Sequence, residues 1–313
     1  MTTSAMTYGS VPGISQPISR LIMGTMVCSP TNMSYVHELL DRFVSVGGNC
    51  LDTARVYGTE PAIGQWLTDH GRREEIVLIA KGVHHDQHGP RVHPQGIAED
   101  LTASLDLLQT DYIDLYLLHR DDPASPVGPI VEALNAHKEA GRIRAFGGSN
   151  WTHDRLQEAN DYAQAHGLTP FAASSPNFSL AVQNEPTWAN CVSASTLPGE
   201  WDWYRERQFP LMAWSSQAQG FFTGRYAQDA PTDAEMVRVW YNDANFQRLD
   251  RVNQMAAEKG VTPIQIALAY VLCQPFPTWA LIGPRTPQET ESSMEGLGLT
   301  LTPDETAGLN LEK

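Results

Sequence analysis

At 313 residues, with 42% hydrophobic side chains, the chain is long enough to bury a large core, which fits one or two domains or a single α/β barrel. Its 21 Lys and Arg stand against 36 Asp and Glu, a net charge of −15, so it lacks the basic footprint of a nucleic-acid or anionic-membrane binder and points to a small-molecule partner. Cys28, Cys50, Cys191 and Cys273 are dispersed with no C-x-x-C pair, which argues against a zinc site or a disulfide framework and fits a reducing compartment. The first twenty residues show no basic stretch leading into an apolar one, and nowhere do eighteen apolar residues run together, so a soluble cytoplasmic protein is expected.

In chain order, short β-favouring apolar runs predict strands at 20–24 (RLIMG), 49–53, 76–80 (IVLIA), 113–118 (IDLYLL), 143–147 (IRAFG), 171–175, 209–214 (FPLMAW) and 278–282 (TWALI). Helical periodicity fills 35–48, 94–109, 130–141, 153–167 and 263–274 between them. Strand and helix alternate through eight repeats, which predicts parallel strands joined by helical crossovers and closed into a (β/α)8 TIM barrel, one domain over 1–313. An open doubly wound sheet would place a Gly-rich phosphate turn after its first strand. That turn here reads MGTMVCSP, and no G-x-G-x-x-G follows any predicted strand. The longest irregular stretches, 176–208 and 215–244, follow strands six and seven and are expected to cover a ligand.

A barrel of this kind keeps its reacting groups at the C-terminal ends of its strands. Asp52 ends strand two, Lys81 follows IVLIA, His119 follows IDLYLL, and Tyr57 lies five residues past Asp52 in LDTARVYG. A phenol with its ordinary pKa of about 10 is a poor acid near neutrality unless a cation stabilises the phenolate. Lys81 can supply that cation, Asp52 can hold the lysine charged, and His119 can position a substrate oxygen. Such a set protonates a carbonyl oxygen while a cofactor delivers hydride to the carbon.

From RLIMGTM through LDTARVYG, LIAKGVHH, DYIDLYLLHRDDP, AGRIRAFGGSNW and LMAWSSQAQGFFTGRY to ALIGPRTPQE, the sequence resembles the aldo-keto reductases. The resemblance implies a nicotinamide dinucleotide bound without a Rossmann domain, Tyr57 as general acid and His119 as substrate orienter. Trp214, where Tyr is commoner, is similar to the bacterial and channel-β-subunit-like branches and implies an indole stacked on the nicotinamide. Gly24, Thr25, Met26 and Asp52 match positions along the nicotinamide ribose. Ser149 and Asn150 match the pair around its carboxamide, with Ser175 standing where a third partner, Gln, is usual. Ser215, Gln217, Gly220 and Arg225 match the pyrophosphate loop, and Gly283, Arg285, Glu289 and Ser293 the adenine end. Arg225 and Arg285 favour NADP (NADPH); Glu289, where Arg or Gln is usual, keeps NAD open.

His84, His85, His88 and His93 cluster in sequence, but adjacent residues on an extended segment point to opposite faces, so no metal is expected there, nor elsewhere in the chain. His84 is instead expected to border the substrate pocket and Trp151 to wall it. With the polar neighbours Arg120, Asp121 and Asp122, that pocket suits a sugar or oxo-sugar carbonyl. Ser149 and Asn150 also read as a cap for the helix starting near 152. A cofactor-loaded redox-sensing or regulatory binding module is the alternative; an intact His119 and no long extension before the barrel argue for the enzyme. A homo-oligomer stays open.

Overall fold

The computed structural model describes residues 5–312; residues 1–4 and 313 of the expected 1–313 domain lie outside it. A two-stranded hairpin comes first, β1 (Tyr8–Gly9) antiparallel to β2 (Ile18–Ser19). Eight parallel strands follow: β3 (Leu21–Gly24), β4 (Cys50–Asp52), β5 (Val77–Gly82), β6 (Ile113–Leu118), β7 (Ile143–Ser149), β8 (Ala173–Ser175), β9 (Leu211–Ala213) and β10 (Thr278–Ile282). They close in sequence order, with β10 pairing β3, so the structure is the expected (β/α)8 barrel.

The crossovers are α1 (Met33–Ser45), α2 (Glu60–His70), α3 (Pro94–Leu108), α4 (Val127–Glu139), α5 (His153–Ala165) and α6 (Glu200–Arg207), then α7 (Ala234–Trp240), α8 (Asp243–Lys259) and α9 (Pro263–Leu272). After β10 come α10 (Pro287–Leu297) and α11 (Pro303–Leu309). Local chemistry sets their ends. Asn32 accepts from the Tyr35 N–H to start α1, a Thr262–Gln265 capping box starts α9, and Gly71 in the left-handed region ends α2. The two stretches expected to be irregular carry some of these pieces: α6 falls in 176–208, and a 3-10 turn, Ala218–Thr223, with α7 in 215–244.

Side chains alternate across each strand, and the alternation builds the site. One parity is turned outward under the helices, as Leu21, Leu51, Leu78, Tyr116 and Phe146 are. The other fills the barrel with Ile22, Cys50, Val77, Ile79, Leu115, Leu117, Ala145, Ala173, Met212 and Trp279. The hairpin adds Val11, Ile14 and Ile18 to that inner cluster, and the Trp279 indole N–H donates to the Ile18 carbonyl at 3.3 Å. The sequence reading did not anticipate this hairpin, whose strands are only two residues each. It closes the N-terminal end with apolar groups, each fully buried aliphatic side chain contributing about 1.5–3 kcal/mol.

Candidate active site

Counting by twos from the inner apolar layer, the uppermost inward positions are Gly24, Asp52, Lys81, His119, Ser175 and Trp214, one step on, and Ser149 and Gly283, two steps on past Gly147 and Leu281. Eight strands thus present their uppermost inward residues to one mouth. Asp52 and Lys81, each only 2% exposed, form an ion pair in which the ammonium reaches both carboxylate oxygens. The Lys81 Nζ also lies 3.4 Å from the Thr53 carbonyl and 5.3 Å from the Tyr57 ring centroid.

Tyr57 arrives on a short 3-10 turn, Arg55–Tyr57, closed by Gly58 at φ 69°. That left-handed exit accounts for the glycine ending LDTARVYG. The Thr53 and Thr59 hydroxyls, 3.1 Å apart, tie the two ends of the loop together. The Tyr57 and His119 rings meet edge to face at 5.6 Å, and His84 meets His119 likewise at 5.1 Å.

Burial opposes the Lys81 ammonium, but Asp52 and Tyr57 outweigh it and hold the lysine above its ordinary value. Burial likewise raises the Asp52 carboxyl, with the ammonium acting against that rise. For Tyr57, burial raises the phenol and Lys81 opposes it, and the net direction is upward. This corrects the expectation of a cation-lowered phenol: Tyr57 rests as a neutral acid, and the ammonium's task is to receive negative charge as the proton leaves. Burial, then Lys81, Arg120, His84 and His85, push His119 well below the ordinary histidine range. Its imidazole is neutral at neutral pH, and its Nδ1 is buried without a partner.

The residues matched to a cofactor divide. Gly24 and Trp214 are half-buried, Met26 and Gly283 are exposed, and a Cβ at Gly283 would meet nothing within 4 Å. Thr25 is buried, its hydroxyl donating to the Asp52 carbonyl. The Ser149 hydroxyl donates to the Ser175 carbonyl, and that of Ser175 to the Met212 carbonyl. Asn150, at φ 60°, donates to the His119 carbonyl and accepts from the Trp214 indole N–H and the Val192 N–H. It braces the indole from the side. Thr152, rather than Ser149 or Asn150, caps the following helix.

Ser215 and Gly220 both take positive φ in the loop after β9, and the Gln217 amide leans on the Ile264 carbonyl at 3.4 Å. Arg225 is exposed, its Nε donating to the Thr223 hydroxyl. Arg285 is exposed as well; its backbone N–H donates to Glu289 at 2.7 Å, and the Ser293 hydroxyl donates to the Glu289 carbonyl. Glu289 is therefore a local cap as well as a charge.

One expectation about the substrate side is corrected. Trp151 is fully buried, 5.2 Å from Phe171, and its indole donates to the Arg120 carbonyl, so it supports the mouth from behind instead of walling it. Asp121 is paired with Arg155 at 3.0 Å, and Asp122 accepts from Ala124 and Ser125, so each carboxylate already has partners within the protein. Arg120 differs. It is 5% exposed, bonds only the His119 carbonyl through Nη1, leaves its Nε unpartnered, and makes no ion pair among the described residues.

Trp188 and Asn190 were missed by the sequence reading. Trp188 is 43% exposed with its ring 5.5 Å from Trp214, and Asn190 reaches His85 at 3.3 Å. His85, Asp86, Asp121, Asp122 and Asn190 line a recess of ≈ 460 Å³ beside the mouth. A tryptophan inside a polar loop was the one signal available.

A family profile described as Aldo/keto reductase family matches residues 20–310. The chain belongs to the aldo-keto reductase family. It is thus a member of a family of nicotinamide-dependent oxidoreductases. Aldo-keto reductase YhdN of Bacillus subtilis is 26% identical over 97% of this chain and 93% of its own. Protein tas of Escherichia coli is 28% identical over 96% and 95%, and norsolorinic acid reductase A of Aspergillus parasiticus 28% over 94% and 77%. In fold, the chain is similar to a thermostable aldo-keto reductase, Tm1743, solved with the inhibitor epalrestat (TM-score 0.76, 20% identity, 98% of this chain and 100% of that one). Among the described residues no helix is long and apolar enough to cross a membrane.

Proposed function

We propose that this aldo-keto reductase reduces an aldehyde or ketone to its alcohol, with Tyr57 as proton donor and NADPH preferred to NADH. The observation that carries the reading is the convergence of Asp52, Tyr57, Lys81 and His119 at one barrel mouth, with lysine held charged, phenol held neutral and imidazole held neutral. Features that support a dinucleotide at the mouth are the half-buried Trp214 indole and the open space at Gly283, and His119 Nδ1 is buried there without a partner. Gly24, Asp52, Ser149, Asn150 and Trp214 would hold the nicotinamide end, with Ser215, Gln217, Gly220, Arg225 and Arg285 toward the phosphates. When bound, the nicotinamide supplies the hydride. Tyr57 donates its proton to the carbonyl oxygen while Lys81 stabilises the phenolate left behind, and His119 orients that oxygen. Arg120 supports a polar or anionic substituent on the substrate, oxo-sugars and oxo-acids included. The name norsolorinic acid reductase, borne by a relative, supports reduction as the working direction.

Tryptophan fluorescence, titrated with NADPH and then NADH, followed by a turnover screen of aldehydes, ketones, oxo-sugars and oxo-acids, tests the reading. Quenching together with turnover is expected. Quenching without turnover on any carbonyl would favour a cofactor-loaded regulatory module instead.

A further inference from the structure

On the outer surface, away from the mouth, α1 and α2 bring His37, Asp41 and His70 together, one ligand-capable atom of each lying within 4.8 Å of the others. His37 and Asp41 are four apart and share a face of α1; His70 is the last residue of α2. Trp66, fully buried on α2, organises two of the three: its indole N–H donates to Asp41 Oδ1 at 2.9 Å, and its carbonyl lies 2.9 Å from His70 Nδ1. A carbonyl only accepts, so Nδ1 of His70 carries a proton, and its Nε2 is turned toward Asp41 Oδ1, 3.2 Å away. With the ring neutral, two acceptors at that separation call for a cation between them, either a proton or a metal ion. His37 Nε2 lies likewise 3.2 Å from a carboxylate oxygen, Asp69 Oδ2, while Gln65 holds the other oxygen of Asp69. Neither Asp41 nor Asp69 pairs with a lysine or arginine among the described residues.

We propose that His37, Asp41 and His70, with Asp69 beside them, form a binding site for a borderline divalent ion of the Zn²⁺ class. An imidazole oriented through its second nitrogen by a backbone carbonyl, next to a carboxylate held by an indole donor, has the supporting shell that protein metal sites use. Two imidazole nitrogens and a carboxylate select Zn²⁺ and its neighbours over Mg²⁺ or Ca²⁺, which take oxygen sets. The expectation of no metal in the chain was argued only from the dispersed cysteines and from the histidines between 84 and 93. There His93 caps α3 and His84 lies against His119. His37 and His70 are too far apart in sequence for that argument to reach them. The ion clips α1 to α2, the helices that lead into and out of the segment bearing Asp52 and Tyr57, and takes no part in hydride transfer.

Calorimetric titration of EDTA-stripped, full-length protein with ZnCl2, with MgCl2 as control, tests the site, and thermal unfolding with and without Zn²⁺ adds a second readout. One Zn²⁺ per chain is expected, with a raised unfolding temperature and no response to Mg²⁺. His37→Ala and, separately, Asp41→Asn should weaken Zn²⁺ binding at least tenfold and remove the thermal shift, whereas His85→Ala/His88→Ala should retain both. His37 is half-exposed, so its variant is expected to fold as the parent does. No Zn²⁺ binding by the parent protein, or binding unchanged in His37→Ala, overturns the proposal.

Discussion

The half of the mouth that would face a nicotinamide and the half that would face an adenine are built on different principles. Asp52, Lys81, His119, Ser149 and Trp214 end barrel strands, lie over a packed apolar interior, and are joined through the Asp52–Lys81 pair and the bonds of Asn150. Arg225, Arg285 and Glu289 are exposed on loops and the first turn of α10; the Arg225 and Glu289 side chains bond neighbours within four residues, and the Arg285 carbonyl accepts from the Tyr35 hydroxyl. Buried groups on strands are pre-organised by the whole fold, so losing one disturbs chemistry. Exposed groups on loops act through screened charge, so losing one adjusts affinity.

The comparison breaks first at Tyr57. Tyr57→Phe is expected to slow carbonyl reduction by about 10²–10⁴-fold, the usual worth of a general acid, with cofactor affinity nearly unchanged. Turnover within tenfold of the parent would show that the strand-end half is not the chemical one. Lys81→Met should cost a similar factor and shift the pH dependence of kcat, because the departing proton would leave an uncompensated phenolate; an identical pH profile would separate Lys81 from Tyr57.

On the loop side, Arg285→Gln is expected to raise the NADPH dissociation constant about tenfold to hundredfold, as for a charge-assisted contact, and to leave NADH nearly untouched. Glu289→Gln should move the same ratio toward NADPH by a smaller factor, since its cap on the Arg285 N–H can be made by an amide. If the parent binds NADH as well as NADPH and Glu289→Gln weakens NADH, the NADPH preference is refuted. Trp214→Ala joins the two halves: cofactor binding should weaken by about fivefold to tenfold and fluorescence quenching should largely disappear. Quenching that persists would point to Trp188 as the reporter.

The smallest expected effect is on stability. His119 is held well below 6.5 in the folded protein, so below about pH 6.5 the unfolded chain takes up a proton that the folded chain refuses. Stability should therefore be intact above that pH and fall as pH drops from it toward the folded-state value. Urea unfolding near pH 7.5 and near pH 5.5 measures the fall, which His119→Gln should flatten; an equal fall in the variant would assign it to other groups.

The sequence by itself determined the barrel, its strand order and the strand-end positions, because a two-residue period fixes which side chains turn inward once the register over Ile79 or Leu117 is known. It could also show that LDTARVYG ends in a turn, since Gly58 accepts a left-handed φ at no steric cost. Where the chain leaves a strand the period stops, and with it the reading. Asn150, at φ 60°, redirects the backbone so that Trp151 enters the outer core although it follows Ser149 by two. Only tertiary packing decided that Asp121 is spent on Arg155 while Arg120 stays unpaired, and that burial outweighs Lys81 at the phenol, because desolvation depends on neighbours contributed from all around the barrel. The same reason holds for Trp188 against Trp214 and for His37 beside His70: each pair is joined across elements that the sequence lists far apart, and contact between them exists only once the helices and loops have packed.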